Sequence, residues 1–421
     1  MRHWYLASLL LLAACSSDDK ETATADTSGS GADTTDTSDG SGTTDTTDGS
    51  GTTDTTEASG DTAGSGDTTE GSGSGDTGPT FDMTDPLSWP VGEAGPFVVG
   101  YRHWETTYTS PGNGEQRTIG INIWYPATEK TATSPNYLNL ALFRDTDVYV
   151  DAPPAPPVYP NGKYPVWAHS HGSQAYGGSS SDLMRHLASH GWVAVAPDHT
   201  HNLFNEDVNP RPLAFYAERP TDVIVAIDQL DALPDATWLA GQADTSRVIL
   251  SGHSFGSFDA WALAGGTYDT SRIQQKCDNS EFPDCTPERV ALFTAGFREP
   301  RAIAVVPMAG QMGADWRGDN GLLSVNIPML LMSGSNDDVG NAGTFAQMTG
   351  KPVTWVELAG GCHETFALGF CTTLNKATGY GLVNTYALSF GRQQMFADSS
   401  VDAILDGTQV VSDLVTLQKQ P

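Results

Sequence analysis

The stretch that decides the fold is Val248–Ala260, VILSGHSFGSFDA. Four residues typical of a buried strand lead into Gly-His-Ser-Phe-Gly, and a helix-like pattern follows. The pentapeptide alone is weak evidence, because Gly and Ser are abundant in this chain. A G-x-S-x-G motif that joins a buried strand to a helix, however, forms a tight turn that exposes the serine hydroxyl. The context therefore predicts that Ser254 is a nucleophile; the alternative is a serine that only caps the helix.

The segments around this motif alternate between apolar strands and helical patterns. We predict strands at 119–126, 164–172, 192–199, 247–252, 302–309, 328–335 and 353–360, and helices at 181–191, 220–233, 257–266 and 287–297. Near-continuous apolar strands separated by helices indicate a mainly parallel sheet covered on both faces. The fold class is therefore α/β, with one large domain over residues 81–421.

A serine hydroxyl needs a base to take its proton, and the base needs an acid to orient it. His363, in ELAGGCHETF, is the only one of ten histidines that follows Ser254, so it is the predicted base. Carboxylates follow a strand in LLMSGSNDDVG, and the G-x-x-D spacing from Gly334 favours Asp337 as the acid. Asp338 is the alternative, and either residue would otherwise be a solvated turn residue.

An oxyanion hole requires backbone N–H groups aimed at the oxygen where negative charge develops. One such group is expected from Phe255, directly after the nucleophile, where a helix N-terminus adds positive potential. The other is expected from Ser173 in the turn HSHGSQAYGG, with Gln174 as second choice.

Three histidines near this edge of the sheet raise the question of a metal. His171 is expected to be a structural ring that hydrogen-bonds within its own turn. His199 and His201, in APDHTHN, are expected to be polar residues at the rim of the site. Because the order nucleophile, acid, base already explains the chemistry, we predict no metal and no cofactor.

Several motifs resemble one branch of a known superfamily. They are GPFVVGYRHWETTYTS, RTIGINIWYPA, SHG, GHSFG, GSNDD and GGCHETF. They resemble the platelet-activating-factor acetylhydrolase and dienelactone-hydrolase-related branch of the α/β-hydrolases. The resemblance implies the α/β-hydrolase fold and a serine-dependent carboxylester hydrolase that forms an acyl-enzyme. Dienelactone hydrolases proper use Cys where this chain has Ser254, so their activity is not implied.

One segment departs from that pattern, at about residues 267–300. It resembles an inserted helical cap, and a cap over the pocket favours small or short-chain acyl esters. An amidase or peptidase with the same three residues is an alternative function. A surface lipoprotein that binds but does not turn over a ligand is another. The acyl and alcohol groups and the oligomeric state stay open.

The N-terminus indicates export and anchoring. Residues 1–14 resemble a lipoprotein signal peptide, with Arg2 before an apolar run and a lipobox-like Leu-Ala-Ala-Cys that predicts lipidation of Cys15. Residues 15–80 form a repetitive Ser/Thr/Gly/Asp segment predicted to be a disordered tether. We therefore expect the bacterial cell envelope, with the outer membrane favoured.

Charge and cysteines narrow the picture further. The net charge is −30, and Ser17–Thr80 holds fifteen acidic residues against one Lys, so nearly half of the net negative charge belongs to the tether. No basic patch exists for nucleic acid. Beyond Cys15 an even set of four cysteines favours two local disulfides, although other pairings stay open. The expected pairs are Cys277 with Cys285 and Cys362 with Cys371.

Overall fold

A ten-stranded mixed sheet forms the centre of the described chain. The computed structural model describes residues 81–137, 144–204, 206, 208–233 and 238–420. The strands are β1 Val98–Thr109, β2 Gln116–Ala127, β3 Val148–Val150, β4 Tyr164–Ser170, β5 Val193–Asp198, β6 Ala243–His253, β7 Ala302–Met308, β8 Met329–Gly334, β9 Val353–Leu358 and β10 Val415–Gln420. Their order across the sheet is β10-β9-β8-β7-β6-β4-β5-β2-β1-β3.

The middle of the sheet is parallel and its flanks are mixed. Strands β5, β4, β6, β7, β8 and β9 pair in parallel. Strand β2 is antiparallel to β1 and β5, and β10 closes the far edge antiparallel to β9. The carboxyl ends of the parallel strands therefore meet along one edge, and the loops that follow them meet there as well.

Helices cover both faces of the sheet. They are α1 Ser181–Ser189, α2 Phe215–Asp231, α3 Phe255–Leu263, α4 Thr270–Asp278, α5 Pro287–Ala295, α6 Ala314–Arg317, α7 Asn341–Gln347, α8 Lys376–Phe396 and α9 Asp402–Leu405. Alternate strand residues belong to two separate apolar clusters, one with α2 and α3 and one with α1 and α8. Successive side chains of each strand point to opposite faces of the sheet, so the strands contribute to two separate cores. The prediction of a mainly parallel sheet covered on both faces is confirmed.

The structure contains elements beyond the predicted ones. Strands β1, β3 and β10 and helices α6, α7, α8 and α9 were not predicted as elements. Helix α8 is hard to recognise in the sequence because it is buried on most of its faces, so its residues do not divide into an apolar and a polar stripe. Helix α2 begins at Phe215, five residues before the predicted start at Pro220. The extra turn is stable because it buries Glu218 and Arg219 in a polar network described below.

The segment predicted as a cap contains two helices, α4 and α5. A disulfide between Cys277 and Cys285 joins the end of α4 to the loop before α5. Ile273 of α4 and Phe293 of α5 are fully buried in the core cluster that also holds α3. The two helices are therefore packed onto the body of the fold, α4 through Ile273 and α5 through Val290 and Phe293.

Candidate active site

Ser254 lies on a strained turn between β6 and α3. Its φ of 54° and ψ of −119° lie in a region that residues with a side chain seldom adopt. Such a conformation costs about 1–3 kcal/mol and persists only where the surroundings hold it. Here the Ser254 N–H donates to the carbonyl of Met308 at 3.0 Å, and the Ser254 carbonyl accepts from the N–H of Ser257 at 2.9 Å. The turn lifts the hydroxyl to the carboxyl edge of the sheet.

Both glycines of the motif are required by close backbone approaches. A Cβ at Gly252 would overlap the carbonyl oxygen of Gly256. A Cβ at Gly256 would overlap the carbonyl oxygen of Ser170, at the end of the neighbouring strand β4. The glycines therefore let the turn close on itself and let α3 pack against β4, which accounts for the spacing of the motif.

His363 and Asp337 face one another across two adjacent loops. The Nδ1–H of His363 donates to the Asp337 carboxylate, 3.1 Å from one oxygen and 3.0 Å from the other. The Asp337 side chain is 6% exposed and that of His363 is 26% exposed, so the carboxylate is shielded and the imidazole can reach a substrate. Asp338 is exposed. Of the two candidate acids, the structure brings Asp337 to the base.

Backbone contacts hold these two loops together. The Asn336 N–H donates to the Gly361 carbonyl at 2.9 Å, and the Gly360 N–H donates to the Ser335 hydroxyl at 2.8 Å. A disulfide joins Cys362, next to the histidine, to Cys371. The position of the imidazole relative to its acid is therefore set by main-chain geometry rather than by one side-chain pair.

The histidine loop also contacts the nucleophile turn. The Nε2–H of His253 donates to the backbone carbonyl of His363 at 3.0 Å, and the two rings lie 4.8 Å apart. Because His253 directly precedes Ser254, this hydrogen bond ties the base to the strand that ends at the nucleophile.

The turn after β4 borders Ser254 on another side. A Cβ at Gly172 would lie 3.3 Å from the Cβ of Ser254, so the backbone that leads to Ser173 passes directly beside the nucleophile. Phe255 is the first residue of α3, where helix geometry leaves N–H groups without intrahelical partners. The structure thus brings both residues predicted for the oxyanion hole to Ser254.

Comparisons with known proteins agree with this architecture. A family model described as chlorophyllase matches residues 149–277, a range that contains Ser173 and Ser254 and ends before Asp337 and His363. The solved structure of ferulic acid esterase from Streptomyces cinnamoneus matches with a TM-score of 0.54 at 17% identity, over 79% of this chain and 99% of that one. The chain has the α/β-hydrolase fold. No curated protein gives a significant sequence match. The resemblance to the acetylhydrolase and dienelactone-hydrolase branch stays a prediction.

The electrostatics of the site favour a basic imidazole at position 363. Burial alone lowers the pKa of His363, but the hydrogen bond and charge of Asp337, with the charge of Glu364, outweigh it and raise the pKa above its usual 6.5. Burial raises the pKa of the Glu364 carboxyl. Burial and the neighbouring His363 hold the pKa of His253 well below its usual value, so His253 stays neutral.

A buried polar network lies beneath the turn that carries Ser173. The Arg219 guanidinium donates to Asp259 at 2.9 Å, to Asn202 at 2.6 Å and to the His171 carbonyl. Burial raises the pKa of Asp259 to about 6. Buried ions of this kind are stable only when paired, so the network fixes the position of the His171–Ser173 backbone.

The three questioned histidines have different environments. His171 is fully buried, and its Nδ1–H donates to the Gly172 carbonyl at 2.7 Å, as expected for a structural ring. His201 is exposed. The prediction that His199 lies on the rim is wrong: it is fully buried between the Asp222 carboxylate at 2.8 Å and the Ser170 hydroxyl at 2.9 Å. Within the described residues no group of three or more His, Cys, Asp or Glu is placed to hold a metal.

Several residues around the site were not singled out from the sequence. They are Arg117, Arg211, Arg219, Asp222, His253 and Asp259. One of them carried a readable signal, because Asp259 interrupts the otherwise apolar pattern SFDAWALAGG and a buried carboxylate needs a cation. Both predicted disulfides are present in the structure.

The predictions for the first 80 residues, Cys15 included, lie outside the described residues. Among the helices that are described, none combines the length and apolar character required to cross a bilayer.

Proposed function

We propose that the protein is a serine-dependent carboxylester hydrolase that works through an acyl-enzyme. The observation that carries the proposal is the strained, half-buried turn at Ser254, joined through His253 to a histidine that is hydrogen-bonded to a shielded carboxylate. A hydroxyl presented in this way, with a base oriented by an acid, is the arrangement required for nucleophilic acyl transfer.

Each residue then has one step. The Ser254 hydroxyl attacks the ester carbonyl while the unprotonated Nε2 of His363 takes its proton. Asp337 holds the imidazole in the tautomer with hydrogen on Nδ1 and stabilises the imidazolium. The N–H groups of Phe255 and Ser173 receive the oxyanion. His363 returns the proton to the leaving alcohol, and water then repeats the sequence to release the acid.

The two comparisons support ester hydrolysis as the reaction class. The fold matches that of a ferulic acid esterase, and the family model for chlorophyllase covers the nucleophile turn. Neither comparison identifies the substrate of this chain, which must be inferred from the residues around the site.

The surroundings of Phe255 support a small acyl group. Tyr216 of α2 lies 5.2 Å from the Phe255 ring, and Phe282, between α4 and α5, lies 5.8 Å from Tyr216. The capping segment thus reaches the aromatic residues next to the nucleophile. A cap so close to the reacting carbonyl limits the length of chain that fits.

The N-terminal sequence supports a place for this activity. Lipidation of Cys15 would anchor the enzyme to a membrane of the bacterial envelope, favouring the outer membrane. Residues 16–80 would hold the catalytic unit away from the lipid surface.

The test is hydrolysis of p-nitrophenyl esters from acetyl to palmitoyl by wild type and Ser254→Ala. We expect turnover with an optimum at short chains, and a loss of at least about 10⁴-fold in kcat for the variant. Labelling by a fluorophosphonate should follow the same pattern. Ser246→Ala is the matched control, because Ser246 is an exposed serine on β6 away from the turn.

Wild type that neither hydrolyses these esters nor reacts with the fluorophosphonate would contradict the proposal. The chain would then be a binding protein on a hydrolase scaffold. Turnover of anilides in preference to esters would instead favour the amidase alternative.

A further inference from the structure

Arg211 sits at the predicted oxyanion hole and has no role in the steps above. Its guanidinium donates to the Ser173 hydroxyl at 2.7 Å and lies 5.2 Å from the centre of the Phe255 ring. Ser173 and Phe255 are the two residues whose N–H groups would face the carbonyl oxygen of a substrate. Arg211 therefore contacts the side chains of both residues whose backbone N–H groups are expected to face the reacting carbonyl.

Among the described residues no carboxylate pairs with Arg211, whereas the neighbouring Arg219 pairs with Asp259. Arg219 contacts the same Phe255 ring at 4.4 Å and is fully buried, and its charge is compensated by Asp259 at 2.9 Å. Arg211 is only half-buried, and the described residues offer it no carboxylate within ion-pair distance. One of its N–H groups is used by Ser173, and an arginine has five.

A half-buried guanidinium next to a reacting carbonyl suits one kind of ligand. Its planar fork matches a carboxylate, and such charge-assisted pairs are short and strong. The surrounding surface is aromatic, with Phe255 and Tyr216 in contact, so water competes less for the pair.

We propose that Arg211 forms an anion subsite that selects esters carrying a carboxylate on the acyl side, such as the half-esters of short dicarboxylic acids. This rests on the proposed esterase function. A half-ester anion and water would give the dicarboxylate dianion, the free alcohol and one proton. Arg211 would bind the free carboxylate while Ser254 attacks the ester carbonyl at the other end of the acyl chain.

The test uses pairs of substrates that differ only in the charge. Monoethyl succinate and monoethyl glutarate are compared with ethyl succinamate and ethyl glutaramate, in which a carboxamide replaces the carboxylate. Hydrolysis is followed by pH-stat titration, and the measured quantity is the ratio of kcat/KM for the acid to kcat/KM for the amide. The ratio cancels any loss that Arg211 variants cause by disturbing Ser173.

We expect a ratio of about ten or more for wild type, because a charge-assisted pair adds about one order of magnitude in affinity or more. Arg211→Gln should lower the ratio at least tenfold. Arg211→Lys should keep part of it, since the charge stays and the fork is lost. Sodium chloride at 0.5 M should lower the wild-type ratio through screening.

Arg102→Gln is the matched control for removal of one positive charge. Arg102 lies on β1, four strands away from β6 in the sheet, and pairs with Asp151. Replacement of Arg102 should leave the ratio unchanged. A wild-type ratio at or below one overturns the inference, and so does an equal ratio in wild type and Arg211→Gln. If the variants do not fold, the wild-type ratio alone tests the inference.

The two proposals fail in distinguishable ways. If the carboxamide esters are hydrolysed in a Ser254-dependent manner but the ratio does not depend on Arg211, the esterase stands and the anion subsite falls. If wild type hydrolyses none of the four substrates and no p-nitrophenyl ester, both fall.

Discussion

The residues predicted for the centre of this site were chosen on short-range patterns that a sequence can show. Ser254 was predicted as the nucleophile because G-x-S-x-G follows a buried strand, and His363 as the base because no other histidine follows Ser254. The choice of Asp337 over Asp338 was less constrained, since adjacent residues differ only in direction. The structure favours Asp337, because its carboxylate accepts from the Nδ1–H of His363 while Asp338 is exposed. A Cβ at Gly334 would overlap Gly361, so the loops that carry Asp337 and His363 touch at that point. His253 was not foreseen, because its partner is a backbone carbonyl from a distant loop.

At this scale we predict the outcome of Asp337→Asn. The carboxylate raises the pKa of His363, so an amide should let that pKa fall and shift the acidic limb of the kcat/KM profile to lower pH. The base must be unprotonated, so activity rises with pH through the pKa of His363 in both proteins. We also expect kcat to fall by about 10²–10⁴-fold, since the amide no longer stabilises the imidazolium.

Asp338→Asn provides the control for Asp337→Asn, because Asp338 is exposed and its loss removes the same formal charge. It should leave both the midpoint and kcat close to wild type. An acidic limb at the same pH in wild type and Asp337→Asn would show that Asp337 does not set the pKa of the base.

At the scale of elements, helix α2 is joined to the sheet by charged groups. Arg117 of β2 donates to Asp222 at 2.8 and 2.7 Å and to Glu218 at 3.2 Å, and all three side chains are almost fully buried. These contacts could not be read from the sequence, because they join positions about a hundred residues apart. Local propensity also places a helix start at Pro220 and hides the earlier turn. Seven of the ten described strands were predictable because each is an apolar run between turns, whereas β1, β3 and β10 were not predicted.

Removal of Arg117 should therefore destabilise the fold strongly. Arg117→Met leaves two buried carboxylates without their cation, which costs about 3–5 kcal/mol in the free energy of unfolding. Urea denaturation followed by tryptophan fluorescence measures this. Arg102→Gln breaks an exposed pair and should cost less than about 1 kcal/mol. Equal midpoints for Arg117→Met and wild type would mean that the network contributes nothing net to stability.

The whole molecule combines a folded catalytic unit with a long acidic N-terminal segment of different composition. The core clusters and the active-site residues described here lie between residues 87 and 417. The N-terminal segment has almost nothing apolar after residue 14, so its purpose was predicted from composition and from four residues at Cys15. Fold class was accessible from the sequence because alternation of strand and helix extends over the whole domain.

At this scale we predict that Cys15 decides where the protein partitions. Wild type expressed in a bacterium that lipidates such proteins should enter the detergent-rich phase of Triton X-114. Cys15→Ala should stay in the aqueous phase, because the acyl chains supply the apolar surface. Its kcat/KM on a soluble short-chain ester should equal that of wild type. Wild type found in the aqueous phase would contradict the anchor.

The last strand affects the tendency of the protein to aggregate. Strand β9 is buried along nearly its whole length, and β10 covers its outer edge through an antiparallel ladder from Val415 to Gln420. A chain cut before Val415 would expose a row of open N–H and C=O groups beside apolar side chains, the geometry that invites strand addition from a second molecule. The six residues of β10 thus protect the edge of the sheet. Proteolytic removal of this strand would therefore promote aggregation.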